Sequence, residues 1–327
     1  MSNFDVEFYE RFRLFNMASF MLSIVLFPLV VTMIVFHSTK IKKYRYYILN
    51  SSVWNITFAT LCFFIRPIPL FPSMCWILDP RIALSYNATL FFGYFIAFSA
   101  LNLDLSIAAS LLYRYSQAFH GRFVRLLDYS PWTELFYISF HIAVYFLLFV
   151  PMSLGQTTPG NETQLQFAIE NPDLIEQFGQ KTIVCFANTE RSRRIVLFLG
   201  CVLFFFFFVG SAFFGRFAYT ICCSKNHSAA YKLQLMLFKF LTVQLYTGYV
   251  CLVFPVCLAI LFLYLQNPYA GRYAIVAMTL ESVHSWIDYS CIIFFITPYR
   301  ESLLKLFRLR PIRTSQLFIV SELRSIR

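Results

Sequence analysis

Residues 195–219 read IVLFLGCVLFFFFFVGSAFFGRFAY, and this stretch decides the fold. It holds a single charge, Arg216, close to its end. About 20 apolar residues in helical form cross the hydrocarbon core of a bilayer. The unbroken run Phe204 to Phe208 points aromatic rings in every direction around a helix. Such a surface suits contact with lipid and would aggregate in water. The whole chain agrees. Hydrophobic residues make up 59% of its 327 positions, charged residues 13%, and Phe alone accounts for 41. Mean hydropathy is +0.64. A soluble domain carries about 25% charged residues, so this chain has too few to cover a surface facing water.

Working outward, six further stretches have the same character: 14–37, 47–71, 86–113, 132–152, 240–265 and 273–297. The reading is an all-α membrane protein, a seven-transmembrane helix bundle. Barrel strands are excluded, because the runs are too long and do not alternate apolar with polar. Pro28, Pro67, Pro69 and Pro255 fall within or near the ends of these spans. Neighbouring helices can satisfy the carbonyls they free, so they are expected as kinks.

Charge gives the bundle a direction. The first thirteen residues contain Asp5, Glu7 and Glu10 and no apolar leader, while Lys40, Lys42, Lys43 and Arg45 follow the first span. Cations favour the cytosolic side, which places the N-terminus outside. Of the 27 Lys and Arg, Arg66 and Arg216 sit at span ends. Only Arg11, Arg13, Arg81, Lys181, Arg191, Arg193, Arg194 and Arg272 fall on the N-terminal side; the other 17 lie opposite. The net charge of +11 is thus a topology signal, not a face for nucleic acid, and no nucleic-acid partner is expected. The glycosylation sequon at Asn161 lies in the long loop that this direction puts outside. Of nine cysteines only Cys75 and Cys185 reach outer loops, where a disulfide between them would pin the long loop over the bundle mouth. The alternative is two unpaired thiols.

Charges inside spans are costly and face the bundle interior. The candidates are Asp104 in span three, and Glu281, His284 and Asp288 in span seven, with Arg66 near the outer end of span two. At a rise of ~1.5 Å per residue, Asp104 and Asp288 each lie ~15 Å from the cytosolic edge. Two carboxylates at one depth could share a proton, a cation or water. The blander reading, given more weight, is that each bonds separately to neighbours such as Asn102 or Tyr289. Glu281, His284 and Asp288 form one helical stripe. Glu281 lies at the level of Arg66, and the two could pair. Arg66, Asp104, Glu281 and His284 are the candidate ligand-pocket residues, and Asp104 and Asp288 the candidate polar core.

Enzyme chemistry finds little support. Glu281-x-x-His284 is half of a di-metal helix motif without a second copy. Three converging zinc ligands, G-x-S-x-G and a phosphate-cradling glycine loop are all missing from the sequence. No catalytic residue, metal or cofactor is expected. On the inner face, Arg114 and Tyr115 end span three, and Arg114 could snorkel to the interface or exchange partners as helices move. Thr297-Pro298 should open a short amphipathic helix after span seven, with Lys305, Arg308 and Arg310 set to meet anionic lipid.

Several segments together resemble the nematode serpentine chemoreceptors, most closely class H of the Str superfamily. They are Lys43-Tyr44-Arg45-Tyr46-Tyr47-Ile48-Leu49-Asn50 with Trp54, Pro67-Ile68-Pro69-Leu70-Phe71-Pro72, Arg114-Tyr115, His284, and Pro298-Tyr299-Arg300. The proline-rich segment is similar to the sister class I as well. The resemblance spans nearly the whole chain. It implies a chemosensory G-protein-coupled receptor in the plasma membrane, on sensory cilia of chemosensory neurons, with a small-molecule cue and a heterotrimeric G protein as partners. Arg114, Tyr115, Pro298, Tyr299 and Arg300 would then sit near the transducer face. The domain reading is one receptor domain over 1–297 and a cytosolic tail over 298–327. The receptor domain includes an outer N-terminus, 1–13, and a long second outer loop, 153–194. A seven-helix ligand-gated channel or transporter is the alternative; the seven-helix insect odorant channels have the opposite orientation.

Overall fold

The computed structural model describes residues 6–37, 44–78, 84–118, 135, 138–146, 150, 169, 183–186, 189–223 and 229–306. The helices are α1 (Val6–His37), α2 (Tyr44–Ile65), α3 (Tyr86–Ala118), a helical piece of α4 at 138–146, and α5 (Glu190–Cys223). They continue with α6 (Ala229–Gly248), α7 (Phe254–Tyr264), α8 (Ala270–Phe295) and α9 (Thr297–Leu306). A π-helical segment, Tyr249–Val253, joins α6 to α7 in a single rod, the sixth span. Among the described residues, five helices are long and apolar enough to cross a bilayer: Glu7–Phe36, Tyr44–Ile65, Tyr86–Tyr115, Ser192–Thr220 and Leu235–Tyr264. The seventh expected span is α8, whose 26 residues suffice in length but include the polar stripe. Most of the fourth, together with Asn161 and the tail beyond Leu306, lies outside the described residues.

The helices pack as a bundle in which α8 touches α1, α2 and both halves of the sixth span. α2 packs on α3, α3 on α5, and α5 on α7. The Phe run behaves as a lipid-facing surface should. Phe204, Phe205, Phe206 and Phe208 are exposed, and Phe207 turns inward to stack on Tyr249 with ring centroids 4.5 Å apart. α1 begins well before residue 14, so the segment 1–13 is not all loop: Val6 onward is helical. Its exposed first turns carry Arg11–Glu7 at 2.5 Å and Arg13–Glu10 at 2.9 Å. These pairs at helical spacing support a short solvated extension.

The largest departure from expectation is at the outer end of span two. Pro67 and Pro69 are not helix kinks, and the span does not reach residue 71. The helix stops at Ile65, Arg66 takes φ 49°, and the chain continues as β1 (Pro67–Leu70). A residue in the left-handed region ends a helix by turning the next peptide away from its axis. β1 pairs antiparallel with β2 (Cys75–Leu78), and β2 pairs with β3 (Ile183–Cys185). β1 is an edge strand of this sheet, where the missing proline N–H groups cost no ladder bond. Buried Ile68, Leu70, Ile77 and both disulfide cysteines pack with Tyr9 of α1 and Ile275 of α8. The three strands therefore form a lid across one end of the bundle.

The unpaired side of β1 lies against the start of α8. A Cβ on Gly271 would come 3.1 Å from the Pro69 carbonyl oxygen and 3.4 Å from that of Phe71. Both are backbone atoms, of β1 and of the turn after it, and cannot swing aside as a side chain would. Gly271→Val is therefore expected to destabilise the protein by roughly 1–3 kcal/mol, the usual cost of overpacking. A melting curve of the detergent-solubilised variant that overlays the wild type would remove this role for Gly271.

Candidate functional site

The buried polar stripe of α8 is tied to two other spans. Asn55 of α2 donates from Nδ2 to Asp288 Oδ2 at 3.0 Å, and Gln244 of α6 donates from Nε2 to Asp288 Oδ1 at 3.2 Å. Asn55 Oδ1 lies 3.2 Å from His284 Nδ1, and Ser285 Oγ donates to the Asn55 carbonyl oxygen at 3.2 Å. Tyr289 donates its hydroxyl to the Ser52 carbonyl at 2.8 Å. All of these groups are essentially inaccessible. The amide of Asn55 is used at both ends: its NH₂ faces a carboxylate, so its oxygen must receive the His284 proton. That assigns the proton of a neutral His284 ring to Nδ1. The Nε2 atom has no partner among the described residues.

Asp104 and Asp288 thus share no bonding side chain among the described residues. Asp288 bonds to amides on spans two and six, whereas Asp104 lines a separate cavity. Nor do Arg66 and Glu281 form an ion pair among the described residues. Equal depth on two helices does not fix which way each side chain points. The four candidate pocket residues are likewise not assembled in one pocket. Arg66 lines a cavity of about 140 Å³ with Tyr9, Arg13, Asn16 and Cys62, between α1, α2 and α8. Asp104 lines one of about 280 Å³ between α3, α4, α5 and the sixth span. His284 is sealed in the polar core, and Glu281 is buried on the same helix without lining either cavity.

At the other end of the bundle, Arg114 is 9% exposed and lies over the Tyr44 ring, Cζ to centroid 3.6 Å. The Tyr44 hydroxyl accepts from Ser110 Oγ at 2.9 Å, and Tyr113 stacks on Tyr44 with centroids 6.1 Å apart. Nε and Nη2 of Arg114 have no partner among the described residues. A guanidinium is weakly hydrated and tolerates an aromatic face better than an ammonium would. Tyr115 and Tyr299 were expected near a transducer face but are buried. Tyr115 packs with Leu111, Phe217 and Leu241, and Tyr299 with Val30, Ile34 and Ile296. Arg114 is buried as well; the two adjacent residues point about 100° apart, into different neighbours. Pro298 and Arg300 are partly exposed. α8 ends where Ile296 becomes extended, and α9 starts at Thr297 and packs back on α1.

Cys75 and Cys185 are opposite residues of β2 and β3 and form a disulfide, Cα–Cα 4.1 Å. The bridge ties the stretch just before α5 to the strand that precedes α3. A family model described as serpentine type 7TM GPCR chemoreceptor Srh matches residues 10–309. The chain belongs to this Srh family. It is accordingly a multi-pass membrane protein of a chemoreceptor family, which is not a family of enzymes. A search of curated proteins finds no match.

Within this Srh chain, two residues central to the site are not singled out by the sequence: Asn55 and Gln244. Asn55 falls in a fortuitous sequon inside a span, which draws attention to its glycosylation rather than to its amide. Both are amides within apolar runs, and that rarity was the available signal.

Proposed function

We propose that this chain is a chemosensory G-protein-coupled receptor that binds an external small molecule and activates a heterotrimeric G protein. The observation that carries the reading is Arg114, a buried cation at the inner end of α3 resting on Tyr44 with two donors unused. A guanidinium with two unused donors gains charge-assisted hydrogen bonds when an acceptor arrives, so its position is biased by a partner. In this reading the N-terminus and the long loop with Asn161 are extracellular. The basic residues between spans and in the tail are cytosolic, and α9 lies on anionic lipid of the inner leaflet. Arg114, Pro298 and Arg300 frame the transducer face, while Tyr115 and Tyr299 position it from within. The receptor resides in the plasma membrane of sensory cilia, as the family resemblance implies.

The test is a ligand-dependent second-messenger response in cells expressing the chain. Arg114→Ala is expected to abolish the response while surface labelling stays near the wild-type level. A response of full size in that variant would sink the switch role of Arg114. No response to any cue in the wild type, with protein at the surface and a G protein supplied, counts against coupling itself.

A further inference from the structure

The cavity that holds Asp104 is chemically one-sided. Its walls are Leu101, Leu105, Leu203, Phe207 and Val253 among other apolar groups, and Ser211 and Tyr249 are the remaining polar residues on it. Its volume of about 280 Å³ falls near the lower bound for small-molecule sites. The Asp104 side chain makes no hydrogen bond or ion pair among the described residues. A carboxylate facing apolar walls without a partner is costly, and the missing partner is a cation or a hydrogen-bond donor. An anion is repelled, and a neutral hydrocarbon leaves the carboxylate unsatisfied. The access side is indicated by Phe206, which lines the cavity and is 42% exposed on the lipid-facing surface of α5. Phe140 of α4 meets it edge to face with centroids 6.1 Å apart.

We infer that a small lipophilic amine binds in this mid-membrane cavity, its ammonium against Asp104 and its hydrocarbon against α3, α5 and the sixth span, entering from the bilayer past Phe140 and Phe206. The inference rests on the receptor reading for its signalling consequence; binding itself is separate. Gly210 gives an independent handle. A Cβ there meets only Leu111 Cδ2, at an ordinary 3.7 Å, so a larger side chain extends into the cavity.

The probe is tritiated octylamine on the full chain in phosphatidylcholine nanodiscs, with empty nanodiscs as background. Saturable binding is expected, with 1-octanol competing at least about tenfold more weakly than unlabelled octylamine. Asp104→Asn should weaken binding by about tenfold or more, Asp104→Glu should retain most of it, and Gly210→Leu should abolish it. Melting curves of the variants check folding, and Gly210→Leu carries the test alone if Asp104→Asn does not fold. Absence of saturable binding to the wild type, or equal binding in Asp104→Asn and Gly210→Leu, overturns the site. Octylamine binding without any second-messenger response leaves the cavity intact and counts against the receptor reading. A cue whose response is unchanged in both variants does the reverse.

Discussion

Asn55→Leu is expected to reduce the amount of folded receptor at the cell surface to about a tenth or less of the wild type. The substitution is close to isosteric, so packing changes little and the lost hydrogen bonds dominate. It strips Asp288 of one of its two amide donors and leaves His284 Nδ1 without an acceptor, in a region closed to water. Hydrogen bonds between membrane helices average only ~0.6 kcal/mol when both partners are removed together. Orphaning a buried group is worse, at about 1–3 kcal/mol each. Two such losses give roughly 2–6 kcal/mol, the lower part of that range applying because Asp288 keeps Gln244. This is a large share of a stability of about 5–15 kcal/mol. Surface biotinylation and thermal melting in detergent measure it. A double variant, Asn55→Leu with Asp288→Leu, should recover part of the loss because the carboxylate is gone. Equal stability of the single variant and the wild type would show that the network does not hold spans two, six and seven together.

The second large effect concerns the lid. Cys75→Ser and Cys185→Ser should each lower the melting temperature by the same amount, and the double variant should be no worse than either. For a closed loop of about 100 residues the chain-entropy account gives ~4.7 kcal/mol. Here the separation is 110 residues, but it includes α3 and the fourth span. Helices already held by the bilayer have less freedom to lose, so about 2–3 kcal/mol is the expected cost. Additive losses in the double variant would mean that the two thiols act independently. Non-reducing gels of the wild type should show the matching redox shift.

The spans were legible because the bilayer imposes a length and a composition that the chain cannot disguise. Residues 195–219 need no partner to be read as a lipid-facing helix, and the exposure of Phe204, Phe205, Phe206 and Phe208 follows from the sequence alone. The end of span two was not legible. Pro67 and Pro69 are tolerated in membrane helices and in edge strands alike, and only the turn at Arg66 decides between them. The site was half legible. Depth along a helix can be counted, so Asp104, Glu281, His284 and Asp288 were recognised as interior. Azimuth cannot be counted without knowing which helices are neighbours. For that reason the Arg66–Glu281 pair and the single four-residue pocket are not found among the described residues, while Asp288 bonds to Asn55 and Gln244, in keeping with the favoured expectation of separate partners.

The π segment in the sixth span has a mechanical meaning. Five residues wound one atom-ring too wide, followed at once by Pro255, leave a stretch where the regular ladder of backbone bonds is interrupted. Such a place bends more readily than the rods on either side. The inner arm, Ala229–Gly248, is about 30 Å long by helical rise, so a tilt of about 10° at the joint carries its far end through roughly 5 Å. Gln244 sits one turn inward of that joint, bound to Asp288. A bond so near the fulcrum has a short lever arm, so a small torque is enough to break it, and the tilt it then allows is magnified at the far end of Ala229–Gly248.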